Sequence, residues 1–185
     1  MLEDVLNELK KRMDNTINAM KKELGTIRTG RASLSILDNI KVNYYDSQVH
    51  INQVASLSIP EANLILIRPW ETTMLKEIVR AISSSDLGIN PIDDGKVIKL
   101  PIPSLTEERR KELAKKVWKI AEECKTSLRM IRREGNEKIK KMEKDKVISE
   151  AESKRHQDKV QKLTDEYNTK IQQAAESKEK EITSL

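Results

Sequence analysis

The sequence predicts an α+β protein in which an elongated three-helix bundle is interrupted by a small β/α/β domain. All five prolines lie between residues 60 and 103, so both flanks lack the residue that most often breaks a helix. Apolar residues in the flanks recur every three or four positions, which is typical of helices that bury one side. The middle of the chain instead alternates apolar and polar residues over short runs, as half-buried strands do.

The first helix is predicted from residue 2 to about Thr29-Gly30, because glycine suits a helix terminus. One side of this segment carries a continuous apolar stripe: Leu2, Leu6, Leu9, Met13, Ile17, Met20, Leu24 and Ile27. The intervals of three and four residues place all of these side chains on one helix face. That face must pack against another part of the chain.

The second helix is predicted from about residue 106 to about Lys146, with Ser104 or Thr106 as its cap. Two glutamates, Glu107 and Glu108, complement the positive end of the helix dipole. Gly135 lies in the apolar seam, as a close contact or a weak point. The same seam holds Leu113, Val117, Ile120, Cys124, Leu128, Ile131, Ile139 and Met142.

A third helix is predicted to begin at Ser149, because Glu152 three residues later completes a capping box. Its apolar stripe includes Val160, Tyr167 and Ile171 and continues to Leu185. Three helices that are each apolar on one side bury those sides most simply against one another. Residues 1–29 and 106–185 are therefore predicted to form a discontinuous three-helix bundle.

Residues 30–105 are predicted to form the inserted small β/α/β domain, with one helix around residues 74–82 capped by Thr72 or Thr73. The strand-like runs are residues 40–44, 54–59, 64–67 and 97–100. Because only two short crossings join this domain to the bundle, the sequence predicts a hinge between them. The hinge residues are Thr29, Gly30, Arg31, Ser104 and Leu105.

The positive charge of the chain is concentrated on the second helix. The net charge is +5, and residues 106–146 alone carry fifteen bases against nine acids. The exposed side of that helix is predicted to show Lys111, Lys115, Trp118, Lys125, Arg129, Arg133, Asn136 and Lys140. Arg132 lies on its flank, so Arg129, Arg132 and Arg133 form an arginine cluster suited to phosphates. RNA or another polyanion is the favoured partner, and a solvated, salt-bridged face is the alternative.

Several classes of function lack the residues that they require. The chain has no run of apolar residues long enough to cross a bilayer and begins unlike a signal peptide, which predicts a cytoplasmic protein without a membrane partner. With only Cys124, His50 and His156, no ordinary zinc site is expected, and no catalytic site can be assembled. Three aspartates suggest a cation site, but they lack the alternation of oxygen ligands in a calcium loop, so turn roles are favoured and no metal is expected: Asp86, Asp93 and Asp94. No cofactor is expected, because the sequence lacks a phosphate-binding glycine loop.

Five segments in this order and at this spacing closely resemble bacterial ribosome recycling factor over the whole chain. They are RTGRAS at 28–33, DLGINP at 86–91, LPIPSLTEERR at 100–110, RMIRRE at 129–134 and VQKLTD at 160–165. Gly135 stands where alanine is usual in that family, and Trp118 and His156 are peculiar to this chain.

The resemblance implies an L-shaped monomer with the dimensions of a transfer RNA, whose bundle lies against large-subunit ribosomal RNA. It implies a non-enzymatic factor that binds the post-termination ribosome. With elongation factor G and GTP, such a factor splits the ribosome into subunits and releases it from mRNA. Carried over by position, the main RNA-contacting residues are Arg129 and Arg132, and the supporting ones are Arg133 and Arg110.

The resemblance also places the hinge around Gly30 and Ser104. The alternative function from another class is a helical scaffold or adaptor that binds a partner helix or a polyanion. An apolar helix face left exposed in the folded bundle would favour that alternative.

Overall fold

The computed structural model describes residues 2–184, and the chain forms two compact units. One unit comprises the chain up to Arg28 and from Glu107 onward, and the other is Thr29–Thr106. Met1 and Leu185, which the predicted bundle included, lie outside the described residues. The predicted α+β class is confirmed.

The elements follow the chain in the order α1, four strands, α2, two strands, α3 and α4. Their bounds are α1 (Leu2–Gly25), β1 (Lys41–Tyr44), β2 (Ser47–His50), β3 (Ala55–Glu61), β4 (Leu64–Pro69), α2 (Leu75–Ser83), β5 (Ile92–Asp93), β6 (Ile98–Pro101), α3 (Glu107–Lys144) and α4 (Glu150–Thr183).

The first helix ends at Gly25, earlier than the predicted Thr29-Gly30. The backbone N–H groups of Thr26 and Ile27 donate to carbonyls three residues earlier, each at 3.1 Å, and the Thr26 hydroxyl donates to the Glu23 carbonyl at 2.6 Å. These bonds tighten the last turn and satisfy carbonyls that a continuing helix would use. Ile27 remains buried although it lies beyond the helix.

The three bundle helices bury the predicted stripes against one another. Fully or nearly fully buried side chains include Met13 and Met20 of α1, Val117 and Leu128 of α3, and Ile171 of α4. The predicted capping box of α4 is confirmed: Ser149 Oγ accepts from the Glu152 N–H at 3.2 Å, and Glu152 accepts from the Ser149 N–H at 2.9 Å.

Gly135 is a close contact between α1 and α3. Leu9 packs directly over it, and a methyl group added at Gly135 would overlap Leu9 Cδ1 and lie 3.0 Å from Cδ2. Both residues are buried. Of the two predicted roles, the structure supports the close contact, because the absence of a side chain at Gly135 makes room for the buried Leu9 side chain.

Tyr167 joins α4 to α1 inside the bundle. Its ring is buried, its hydroxyl donates a short hydrogen bond to Asp14 Oδ1, and the Lys170 ammonium lies 4.4 Å from the ring centroid. Burial, followed by the hydrogen bond to Asp14, raises the pKa of Tyr167 to about 12. The phenol therefore stays protonated in the folded protein well above the pH at which a free tyrosine ionises.

The second unit contains two antiparallel sheets and one α-helix. β1 pairs with β2, and the larger sheet has the order β3-β4-β6-β5. None of the four predicted strand-like runs corresponds to β2 or β5, and a two-residue strand such as β5 carries no periodic pattern. The buried core of the second unit includes Val42, Ile65, Ile67, Ile78, Ile82, Ile98 and Leu100.

The predicted threonine cap of α2 is wrong. Thr72 and Thr73 lie inside a 3₁₀ turn that runs directly into α2, and Met74 at the junction makes no side-chain capping bond. Helical backbone has already begun at the threonines, so neither adopts the extended conformation that a cap requires.

Both ends of the second unit are anchored at the same turn. The Ala32 N–H donates to the Ala62 carbonyl, and the Ile102 N–H donates to the Asn63 carbonyl, each at 2.7 Å. Residues 62 and 63 connect β3 to β4. The entering and leaving segments are thereby fixed to neighbouring residues of one hairpin, which is why two distant parts of the sequence leave this unit side by side.

We expect Gly135→Ala to destabilise the protein by about 1 kcal/mol. Alanine gains ~1 kcal/mol in helix propensity, but overpacking a buried contact costs ~1 to 3 kcal/mol. Leu9→Ala alone is expected to cost ~2 to 5 kcal/mol. In the double variant the new methyl group fills part of the cavity, so urea unfolding should show a loss smaller than the sum of the two single losses. Additive losses would contradict the contact.

We expect Tyr167→Phe to remove part of the loss of stability that occurs between about pH 10 and pH 12. A group whose pKa is raised on folding stabilises the protein below its unfolded pKa, and this contribution disappears as the pH rises through the folded pKa. Because the variant lacks the hydrogen bond to Asp14, its free energy of unfolding should be lower by ~1 to 2 kcal/mol near neutral pH. Urea unfolding of both proteins from pH 8 to 12 measures the difference in their free energies of unfolding, which should narrow with rising pH. A difference that stays constant would contradict the raised pKa of Tyr167.

Candidate nucleic-acid interface

The basic residues of the bundle are carried by one rigid support. α3 is a single helix of 38 residues, and the segment 106–146 that contains it has a net charge of +6. Its apolar side is buried against α1 and α4, so its polar side is presented outward. A rigid helix keeps its side chains at fixed spacings. Binding a ligand therefore requires no further ordering of the backbone.

The structure brings Arg129, Arg132 and Arg133 together along a shallow cavity of about 440 Å³ on the surface of α3. Arg129 and Arg133 are exposed, the Arg133 side chain at 81 %. Arg132 is half-buried. The remaining lining residues are Thr126, Met130, Asn136, Glu137 and Lys140. Three guanidinium groups within about one helical turn can address neighbouring phosphates.

One of the two acidic residues near the arginine cluster is paired with α1 instead. Glu134 accepts a hydrogen bond from Arg12 of α1 at 2.5 Å, and this bond lowers the pKa of the Glu134 carboxyl group. Glu137 is the acid that pairs with the cluster, accepting from Arg133 Nε at 3.2 Å. Since Glu134 is paired with another helix, it offsets less of the positive charge on the cluster than the sequence alone suggests.

Arg132 is oriented by a residue that sequence analysis missed. Its Nη1 donates to Gln161 Oε1 of α4 at 2.8 Å, and Gln161 Nε2 donates to Asp165 Oδ1 at 2.8 Å. Both α4 residues lie in the VQKLTD segment. The pairing of Gln161 with Arg132 depends on the register between α3 and α4, for which a single sequence carries no signal.

Two further side chains in the cavity are suited to contacts other than ion pairs. Met130 lies beside the arginines and is 59 % exposed, so it offers an apolar surface. Asn136 is half-buried, and its Oδ1 has no hydrogen-bond partner among the described residues. A buried acceptor without a donor is costly, so a donor supplied by a ligand would be favourable here.

Arg110 lies apart from the cluster. It is half-buried and lines a different cavity with Lys111, Lys115 and Glu179. At ~1.5 Å per residue, the nineteen positions between Arg110 and Arg129 correspond to about 28 Å along α3. The four arginines predicted as site residues therefore occupy two places on one helix.

Some predicted positions on α3 differ from the structure. The Lys125 side chain is only 22 % exposed, because its ammonium donates to Gln172 of α4 at 3.2 Å and to Glu122 at 3.3 Å. It therefore does not belong to the exposed basic face. Trp118 is half-buried, and Cys124 is half-buried rather than in the core, where partial burial raises the pKa of its thiol.

His156, Asp93 and Asp94 have local structural roles. His156 donates from Nδ1 to the Glu152 carbonyl at 2.9 Å. Asp93 and Asp94 accept backbone N–H bonds within their own turn, from Gly95 at 2.8 Å and from Val97 at 2.8 Å. Within residues 2–184, no three His, Cys, Asp or Glu side chains are grouped so that they could hold a metal ion.

The residues predicted as a hinge lie in segments without helix or strand. Gly30 has φ of 75°, a left-handed conformation that favours glycine, and it lies between α1 and β1. Ser104 and Leu105 lie in the short segment between β6 and α3. In the described chain, no helix is long and apolar enough to span a membrane.

Comparison with known proteins gives full-length relatives. The family model described as ribosome recycling factor matches residues 20–183. The ribosome-recycling factor of Bdellovibrio bacteriovorus is 50 % identical over 182 residues, covering 98 % of both chains. The ribosome-recycling factor of Desulfosudis oleivorans is 50 % identical over 185 residues, covering 100 % of both chains.

Two solved structures are similar over nearly the whole length. A solution structure of ribosome recycling factor is 42 % identical, with a TM-score of 0.75, and the match covers 100 % of this chain and 98 % of the other. The second is the Thermus thermophilus (T. thermophilus) factor, described together with E. coli elongation factor G on the E. coli post-termination complex. It is 40 % identical, with a TM-score of 0.63, and the match covers 98 % of each chain. From the sequence motifs, the fold and these relatives, we conclude that the chain belongs to the ribosome recycling factor family.

Proposed function

We propose that this protein binds the post-termination ribosome and, with elongation factor G and GTP, splits it into subunits, releasing the ribosome from mRNA. The observation that carries this proposal is the arginine cluster on α3 in a chain that matches the family over its full length. The bundle would lie against large-subunit ribosomal RNA, and Arg129 and Arg132 would be its main contacts.

The geometry of the cluster supports RNA as the ligand. Guanidinium groups form two parallel hydrogen bonds with phosphate oxygens, and a rigid helix holds them at a fixed spacing along a backbone. Arg133 adds charge next to them, and Arg110 with Lys111 would provide a second contact farther along α3. Such contacts read shape and charge rather than sequence, as suits a large folded RNA.

The similarity to the T. thermophilus factor supports the choice of protein partner. That structure is described with elongation factor G on the post-termination complex. The sequence of this chain has no glycine loop for a nucleotide, so the energy of GTP hydrolysis would be supplied by the partner. The protein would act as a mechanical wedge without a catalytic step or cofactor of its own, as a monomer in the cytoplasm.

The adaptor alternative loses its main support in the folded bundle. An adaptor that binds a partner helix needs a continuous exposed apolar face. In the described part of the bundle, the large apolar side chains that are exposed are Met130 and Val147, seventeen positions apart in sequence. The three apolar stripes are used within the bundle itself.

We also propose that residues 29–31 and 104–105 act as the hinge between the two units. Two observations support this role: the segments have no regular secondary structure, and their ends in the second unit are fixed to adjacent carbonyls, of Ala62 and Asn63. Two strands of chain that leave side by side permit bending about a common axis.

We expect Arg129→Ala and Arg132→Ala each to weaken ribosome binding by ~1 to 3 kcal/mol, the range for a hydrogen bond to a charged group. Each should also reduce the salt dependence of binding by about one phosphate contact. The measurement is ribosome affinity at several salt concentrations, followed by subunit splitting with elongation factor G and GTP.

The matched control is Arg155→Ala, an exposed arginine on α4. Arg129→Ala and the control should unfold within ~0.5 kcal/mol of the unmodified protein, because both residues are exposed, and Arg132→Ala should lose about 1 kcal/mol with its hydrogen bond to Gln161. If the cluster variants bind like the control, the arginine cluster is a solvated surface. If the unmodified protein binds ribosomes through the cluster but does not split them with elongation factor G and GTP, the RNA contact is right and the proposed recycling function is wrong.

We expect Gly30→Ala to slow subunit splitting more than it weakens ribosome binding. Alanine at φ of 75° costs about 1 kcal/mol, so the first hinge segment should shift toward another conformation. Gly25→Ala is the control, since a methyl group there meets no atom within 4 Å and its φ is not left-handed. Splitting rates equal to those of the control would exclude a role for Gly30 in the hinge.

A further inference from the structure

The small unit exposes large aromatic side chains that the proposed RNA contact does not use. Tyr45 is 76 % exposed and Trp70 is 67 % exposed. Both are near Glu71: Trp70 precedes it in sequence, and Tyr45 is hydrogen-bonded to it. Exposed aromatic side chains that are held in place are typical of binding surfaces.

Tyr44, Tyr45 and Glu71 form a built cluster, here termed the tyrosine–glutamate clamp. The Tyr44 hydroxyl donates to Glu71 Oε1 at 3.0 Å, and the Tyr45 hydroxyl donates to Glu71 Oε2 at 3.2 Å. The two rings meet edge to face, with centroids 4.6 Å apart and planes at 77°. One carboxylate thus fixes both rings, and each of its oxygens keeps the capacity to accept another hydrogen bond.

The backbone of the β1–β2 turn holds Tyr45 in an unusual conformation. Tyr45 has φ of 44° and Asp46 has φ of 62°, at the two positions between the paired residues Tyr44 and Ser47. This two-residue hairpin turn favours Asn-Gly, and a bulky residue there is strained. The sequence places tyrosine where glycine or asparagine would be more stable, and the resulting turn projects the ring into solvent.

The charge of this region favours a cation over an anion. Hydrogen bonding to the Glu71 carboxylate raises the pKa of Tyr44 and that of Tyr45, so both phenols stay protonated as donors. Asp46 lies in the same turn, and residues 30–105 carry eight acids against seven bases. A phosphate would be repelled by Glu71, whereas a cation would gain from both the carboxylate and the ring face.

We propose that the tyrosine–glutamate clamp binds an arginine side chain of a basic protein partner, with the guanidinium group on the Tyr45 ring and hydrogen-bonded to Glu71. Arginine fits better than lysine, because its planar group stacks on a ring while its N–H groups address a carboxylate at the edge. Nucleic-acid bases also stack on exposed aromatic rings, but their phosphates would lie next to Glu71 and Asp46.

The test is an NMR titration of the full chain with a five-residue peptide, Gly-Arg-Gly-Arg-Gly, and with the same peptide carrying citrulline, which keeps the shape of arginine without its charge. Backbone signals of residues 44, 45 and 71 should shift with the arginine peptide and not with the citrulline peptide. Because no ribosome is present, the result is independent of the proposed recycling function.

Variants of the clamp then separate charge from ring. Glu71→Gln should weaken the affinity for the arginine peptide about tenfold, and Tyr45→Leu should weaken it about threefold. The control, Glu61→Gln, removes an exposed acid of the same unit and should leave binding unchanged. Unchanged signals elsewhere in the spectrum verify that each variant is folded.

Three results would overturn the proposal. They are equal binding of the citrulline peptide, equal affinities of Glu71→Gln and Glu61→Gln, and shifts at residues 44, 45 and 71 caused by a single-stranded oligouridine but not by the arginine peptide. The last result would assign this surface to nucleic acid instead.

Discussion

The structure depends on the burial of one side of α3 by α1 and α4. A helix of 38 residues with apolar side chains every three or four positions has one rotation at which its stripe is removed from water, and the two neighbouring helices impose it. Once that rotation is set, Arg129 and Arg133 must face outward. The position of the proposed RNA-binding surface is therefore a consequence of hydrophobic packing on the opposite side of the same helix.

Polar contacts between the helices then adjust the charge and the side-chain orientation in the arginine cluster. α1 binds Glu134 through Arg12, and α4 orients Arg132 through Gln161. Each contact adds little stability, because the Arg12–Glu134 ion pair is only part-buried and the Arg132–Gln161 hydrogen bond is exposed, and such contacts typically contribute about 1 kcal/mol or less. Both contacts affect the arginine cluster: the bond to Arg12 reduces the influence of the Glu134 charge there, and the bond to Gln161 reduces the rotamer freedom that Arg132 would lose on binding a ligand.

The two units carry surfaces of opposite character. The bundle presents arginines on a rigid helix, whereas the second unit is slightly acidic and presents tyrosines around Glu71. An RNA partner for the first and a basic protein partner for the second would use different physical interactions, phosphate contacts in one case and ring and carboxylate contacts in the other. Division of these surfaces between two folding units lets each be held by its own core.

The sequence by itself determined the α+β class, the three long helices, the Ser149 cap and the concentration of charge on α3, because periodicity, capping and charge are local properties. It misplaced the end of α1 and assigned the wrong cap to α2, because backbone hydrogen bonds in tight turns determine both features. Only the tertiary structure decided that Leu9 occupies the space at Gly135, that Gln161 meets Arg132 and that Glu71 joins two tyrosines. Those pairs lie 26 to 126 positions apart, and contacts at such separations depend on packing register, which no local pattern encodes.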